Sequence, residues 1–279
     1  MKYLGRGLLV LIVLAGIGMF VYPYLHSDHV DVQPSPSPSA ESPSPEPSPS
    51  PSPSDHFPVP AESDQPVGLN KPVPPIDESD RSVQESLTEL LGKARFDSLF
   101  NLKDIVRRIV VSIDNVAKHD IPSQEFSPFK PIEKGFLVKG KGDALSISPA
   151  NSERYKPFID LALTVDLEKL VAVYVHFYPL FQSAYRDLGT QGYFNDRAVK
   201  VIDVILDTPE IDGPVKVTKT VHNIYKYTDE KIEALPAVQK ILLRMGGENV
   251  VVIKTKFREL RERLIHLDQF QKNQMKKTK

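Results

Sequence analysis

The feature that most constrains this chain is a long tract dominated by proline and serine. Residues 33–66 carry the Pro-Ser dipeptide over and over, with almost no aliphatic side chains. Such a stretch cannot bury enough apolar surface to offset the entropy of ordering its backbone. Proline fixes φ and favours polyproline II, at about 3.1 Å per residue. We therefore expect residues 26–73 to form a disordered, semi-rigid stalk. A folded domain is expected over residues 74–270, with a basic, frayed tail at 271–279. The domain of roughly 200 residues is ample for a sizeable core.

Residues 7–25, ahead of the stalk, carry no charged side chain and are rich in Leu, Val, Ile and Phe. About 19 residues at 1.5 Å rise come close to the ~30 Å hydrocarbon core, so this segment is expected to span a membrane as one helix. Lys2 and Arg6 precede it, and Asp28 and Asp31 follow, with no further Lys or Arg before Lys71. The positive-inside rule then places residues 1–6 in the cytoplasm and the domain on the far side. A cleaved signal peptide is the competing reading. The apolar run is longer than a signal-peptide core, and no A-x-A-like site follows it. The expectation is thus a single-pass inner-membrane protein with a periplasmic domain.

The formal net charge of -1 excludes a strongly basic nucleic-acid binder. The chain has no cysteine, which removes disulfides, thiolate nucleophiles and Cys-based metal sites.

Periodicity in the domain predicts a mainly α fold of about seven helices with one or two short β hairpins. A first helix uses Val83, Leu87, Leu90 and Leu91, with several possible caps in residues 77–82 and Gly92 at its end. A second carries Ile105, Val106, Ile109, Val110, Ile113 and Val116, with Arg107, Arg108, Ser112 and Asp114 assigned to the polar side. Residues 136–138 and 144–147 suggest a hairpin. Ser148 and Pro149 suggest a helix start. Asp166 caps a central helix that is apolar on two faces, and a kink is expected at Pro179. Asn195 or Asp196 is expected to cap the next helix. Residues 215–221 and 225–228 read as paired strands. Helices starting at Pro236 and ending along the Val250, Ile253, Phe257, Leu260 and Leu264 stripe complete the domain.

No catalytic spacing is present. The His residues lack metal-ligand spacing, no Ser sits in a G-x-S-x-G elbow, and Gly140-Lys141-Gly142 lacks a βαβ frame. No metal or cofactor is expected. His176 reads as a satisfied core residue rather than an acid or base. Tyr174, Tyr178 and Tyr185 read as core more readily than as a sugar-binding platform. Lys254, Lys256, Arg258, Arg261 and Arg263 read as a solvated helix face. Two polar clusters stand out as candidate binding residues. One is Asp114 with Asn115. The other is Tyr193, Asn195, Asp196 and Arg197 at a helix start, where an anionic group would be favoured. A plain cap and salt bridge is the preferred explanation of the second cluster, because Asn and Asp are the default residues at a helix start.

Several strings carry a family likeness. They are Pro75-Ile76-Asp77-Glu78-Ser79-Asp80, Ser112-Ile113-Asp114-Asn115, Tyr178-Pro179-Leu180-Phe181-Gln182, Tyr193-Phe194-Asn195-Asp196-Arg197 and Leu242-Leu243-Arg244-Met245-Gly246. With them, residues 74–267 resemble the bacterial domain-of-unknown-function family 3014. That resemblance implies an envelope location in Gram-negative bacteria and implies no activity. Two functions are expected. The first is a tethered interaction or scaffold module that binds another envelope protein or peptidoglycan. The alternative is an enzyme acting on cell-wall or envelope glycans through a carboxylate such as Asp114 or Asp196.

Overall fold

The structure is a computed structural model that describes residues 56–60, 72–120, 124–132, 135–221 and 224–269. The expected membrane helix at 7–25 and the basic tail at 271–279 lie outside the described residues. Among the described residues, no helix is long and apolar enough to cross a membrane.

The domain is mainly helical, with two small two-stranded antiparallel sheets. A 3-10 turn at Ile76–Glu78 leads into α1 (Ser79–Leu91), followed by α2 (Lys93–Leu99) and α3 (Ile105–Ala117). Strands β1 (Val138–Lys139) and β2 (Ser146–Ile147) pair around a 3-10 turn at Gly142–Ala144. Helices α4 (Asn151–Thr164), α5 (Leu167–Asp187) and α6 (Phe194–Leu206) come next. Strands β3 (Val217–Lys219) and β4 (Tyr225–Tyr227) form the second hairpin, with Val217 opposite Tyr227. Short α7 (Glu230–Glu233), α8 (Ala237–Met245) and long α9 (Gly247–Ile265) follow.

Two of these helices were not expected from periodicity. A single residue separates α2 from α1, because Gly92 takes φ 83° and ψ 139° and turns the chain without a left-handed penalty. The α7 helix is a single turn capped by Asp229, which accepts from Lys231 N–H. The strands are shorter than expected, and an isolated bridge between Ser146 and Lys216 joins the two hairpins. Gly140 shapes the first hairpin: at φ 94°, a Cβ there would collide with the Ala144 carbonyl.

The central helix is α5. It runs unbroken through Pro179, which is exposed, and buries Val171, Tyr174, Phe177 and Phe181. Asp166 caps it as expected, accepting from Glu168 and Lys169 N–H. Around it pack α1, α3, α6 and α9, and α9 also lies along α4, α6 and α8. The main core joins all of these helices, while Val217, Tyr227 and Leu243 form a small second cluster beside the hairpins.

Other helix starts are satisfied by side chains from elsewhere. Residues 77–82 were expected to cap α1, but the Asp80 carboxylate accepts from Asp104 N–H at 2.8 Å and Ile105 N–H at 3.0 Å, so it caps α3. The α4 helix starts at Asn151, after Ser148 and Pro149 have formed a turn. The buried Asn151 side chain both donates to the Leu137 carbonyl and accepts from the Leu137 N–H, fastening the β1 approach to α4.

Candidate functional site

The first cluster divides. Asn115 turns back on its own helix, donating to the Val111 carbonyl at 2.8 Å. Asp114 does not lie on a polar face: it is 4% exposed, and Ser112 is fully buried. The reason is tertiary. Helix α3 is enclosed by α5 on one side and α6 on another, so its short polar flank is covered as well. A buried carboxylate needs a partner. Asp114 has two: Lys118 one turn on at 2.5 Å, and Arg197 of α6, which donates from Nε at 2.9 Å and Nη2 at 2.5 Å. Burial alone would raise the Asp114 pKa, but these hydrogen bonds and charges prevail and hold it below its ordinary value.

The second cluster is arranged differently from a helix cap. Helix α6 begins at Phe194, and its cap position is Tyr193, whose side chain makes no capping bond. The side-chain amide oxygen of Gln182, on α5, accepts from Phe194 N–H at 2.9 Å and so fills that role across the helix pair. Gln182 also accepts from Tyr178 OH and donates to the Gly192 carbonyl, so every polar atom of its amide is engaged with α5 or the loop before α6. Tyr178 is half-buried rather than core, and burial pushes its phenol up to about 12.

Asn195, with no exposed surface, is a three-way tie rather than a cap. Its side-chain oxygen accepts from Tyr174 OH at 3.1 Å, and its amide donates to the Leu264 carbonyl at 3.2 Å and to the Phe57 carbonyl at 2.9 Å. It therefore joins α5, α9 and a segment far upstream. Asp196 completes that last contact. Its Oδ1 accepts from Phe57 N–H at 2.9 Å, and its Oδ2 lies 2.9 Å from His56 Nδ1. The His56 ring stacks on Tyr193 with centroids 4.0 Å apart.

Residues 56–60 thus lie against the domain although they fall within the expected stalk. Phe57 and Val59 pack on the main core. Local sequence explains the extended form: each precedes a proline, which disfavours the helical region. The signal missed in the sequence was this His-Phe-Pro-Val-Pro string, whose aromatic and aliphatic side chains set it apart from the Pro-Ser repeat. Beside it opens a shallow cleft of about 330 Å³, lined by Phe57, Tyr193, Asp196, Arg197, Lys200 and Arg261, among others. Two of the larger clefts, about 510 Å³ beside α8 and α9 and about 550 Å³ beside Phe126 and Leu188, contain none of the six predicted residues.

The remaining expectations resolve locally. His176 is buried and meets Phe177 edge-on. Tyr174 and Tyr185 are core. Lys254 is buried rather than solvated, donating to the Thr208 carbonyl and to Glu210, and Arg261 pairs with Asp203 across to α6. Among the described residues, no three His, Cys, Asp or Glu side chains gather closely enough to hold a metal ion.

No curated protein and no solved structure matches the chain. A family model described as Protein of unknown function (DUF3014) matches residues 105–261. That span contains Asp114, Asn115 and the whole Tyr193–Arg197 cluster, and it leaves the seated segment at 56–60 outside. It is narrower than the likeness expected over 74–267, and it covers more than half of the sequence: the chain belongs to the DUF3014 family.

Proposed function

We propose that the chain is a membrane-tethered periplasmic interaction or scaffold module of the bacterial cell envelope. One observation carries this reading. Asn195 and Asp196 hold the carbonyl and the N–H of the same residue, Phe57. This pair of contacts recognises an extended polypeptide backbone, a common basis of peptide capture. The apolar run at 7–25, its flanking charges and the stalk support the tether and the orientation.

The alternative, a glycan-directed enzyme, draws less support from the same residues. Asp114 is held in its ionised form by Lys118 and Arg197, which does not suit a proton donor near neutral pH. Both oxygens of Asp196 are engaged by residues 56 and 57.

In-cell photocrosslinking tests the module. A photoreactive side chain at Tyr193, 52% exposed beside the cleft, should give discrete adducts with an envelope protein or peptidoglycan. The same group at Val221, 93% exposed and remote in sequence, should give none. Indistinguishable patterns at the two positions would overturn the reading. A C-terminal alkaline phosphatase fusion should be active and a Sec-exported green fluorescent fusion dark, and the opposite pair would reverse the orientation.

A further inference from the structure

The groove at the start of α6 holds its peptide through contacts that do not depend on chain connectivity. The Phe57 N–H donates to Asp196 Oδ1 and the Phe57 carbonyl accepts from Asn195 Nδ2, each at 2.9 Å. Both bonds use main-chain groups of the peptide. Selectivity comes from its side chains: His56 stacks on Tyr193 and meets Asp196 Oδ2, while Phe57 and Val59 rest on the helical core. The prolines at 58 and 60 pre-set an extended backbone and so reduce the entropy lost on docking.

An identical segment from a neighbouring copy would make every one of these contacts. Exchange between copies conserves the contacts, so its balance turns on linker entropy and local concentration. Residues 61–71, eleven in sequence, join the seated segment to the domain. A short linker supplies its own segment at an effective concentration in the millimolar range, about what a neighbour must match. Dilute protein therefore keeps its own segment. Copies crowded in one bilayer, on stalks of equal length, approach the condition for exchange.

We propose that residues 56–60 are exchanged between copies, so that the groove is a docking surface for a second copy of this chain and crowded molecules pair by segment swapping. The crowding argument rests on the membrane-tethered reading above, whereas the contacts themselves do not.

The absence of cysteine makes the test direct. Full-length chains carrying His56→Cys and, separately, Tyr193→Cys are given different tags and co-reconstituted in vesicles over a series of protein-to-lipid ratios. The His56 substitution leaves both main-chain bonds of Phe57 in place. A short bis-maleimide should yield a two-tag dimer whose fraction rises several-fold with density. A synthetic peptide of residues 54–62 should suppress that dimer, and the same peptide with Phe57→Gly should not. A dimer that ignores the peptide reflects random collision and overturns the proposal. So does an absent dimer at every density when the doubly substituted single chain crosslinks within itself, since the seat is then closed to neighbours. If the double chain also fails to crosslink, the seat itself is absent and the proposal falls with it. A peptide-sensitive dimer that forms equally well in dilute detergent upholds the exchange and removes the tether from its cause.

Discussion

Arg197 reaches from α6 to α3 and places both Nε and Nη2 on a single carboxylate oxygen of Asp114, at 2.9 and 2.5 Å. The Asp114 side chain is 5% exposed and that of Arg197 17%. Removing one member of a buried pair strands the other charge, which costs more than the pair itself contributes. Asp114→Ala should therefore lose about 3–5 kcal/mol in urea unfolding. The double variant Asp114→Leu with Arg197→Met should recover much of that loss, because the one charge left without its partner, Lys118, is exposed to water. A single variant as stable as the parent would show that the pair does not hold α3 to α6.

The same carboxylate sets an acid limit. The folded pKa of Asp114 lies below the ordinary 3.8, so the folded state binds this proton less readily than the unfolded chain does. Its contribution is present in full above the unfolded value, and is lost as pH falls from there through the lowered folded value. Thermal stability measured from pH 6 downward should decline below about pH 4. In Asp114→Asn that part of the decline should disappear. Parallel curves for parent and variant would remove Asp114 as its source.

Asn195 separates a cap from a tertiary tie. A cap residue replaced by Ala costs about 0.5–2 kcal/mol. Asn195→Ala instead leaves the buried Tyr174 hydroxyl and the carbonyls of Phe57 and Leu264 without this partner. At roughly 1–3 kcal/mol for a buried group left unpaired, and with partial relaxation, a loss of about 2–4 kcal/mol is expected. Tyr174→Phe should cost less, about 1 kcal/mol, because it removes one bond of the three. An Asn195→Ala loss no larger than that of Tyr174→Phe would mean that the other two bonds contribute nothing.

Phe181 tests the central helix. It is 2% exposed, stacks on Phe194 with centroids 5.5 Å apart, and lies 5.7 Å from the Tyr174 ring. Phe181→Ala should cost about 3–5 kcal/mol through lost transfer energy and the cavity left behind. Val221→Ala, at a side chain 93% exposed, should stay within about 0.5 kcal/mol of the parent. Equal melting temperatures for the two variants would contradict the assigned packing of α5 against α6.

What the sequence alone determined is what repeats along a helix or stops one. The Leu167, Val171, Tyr174, Phe181 seam is visible because helical spacing puts those side chains on one face whatever surrounds the helix. Asp166 is legible as a cap because it acts on N–H groups two and three residues ahead. Both hairpins are legible because their turns lie between the strands they join. What the tertiary structure decided is every contact whose partner is distant in sequence. Asp80 serves α3 rather than its own helix, Gln182 serves α6, Asn195 ties three elements, and Asp114 is buried on a flank that looks polar by periodicity. The residues at 56–60 find a seat that the composition around them does not announce. Periodic patterning reports which face of a helix is apolar. It does not report which neighbour covers the polar flank, because a hydrogen bond acts over about 3 Å in space and leaves no mark along the chain between its partners.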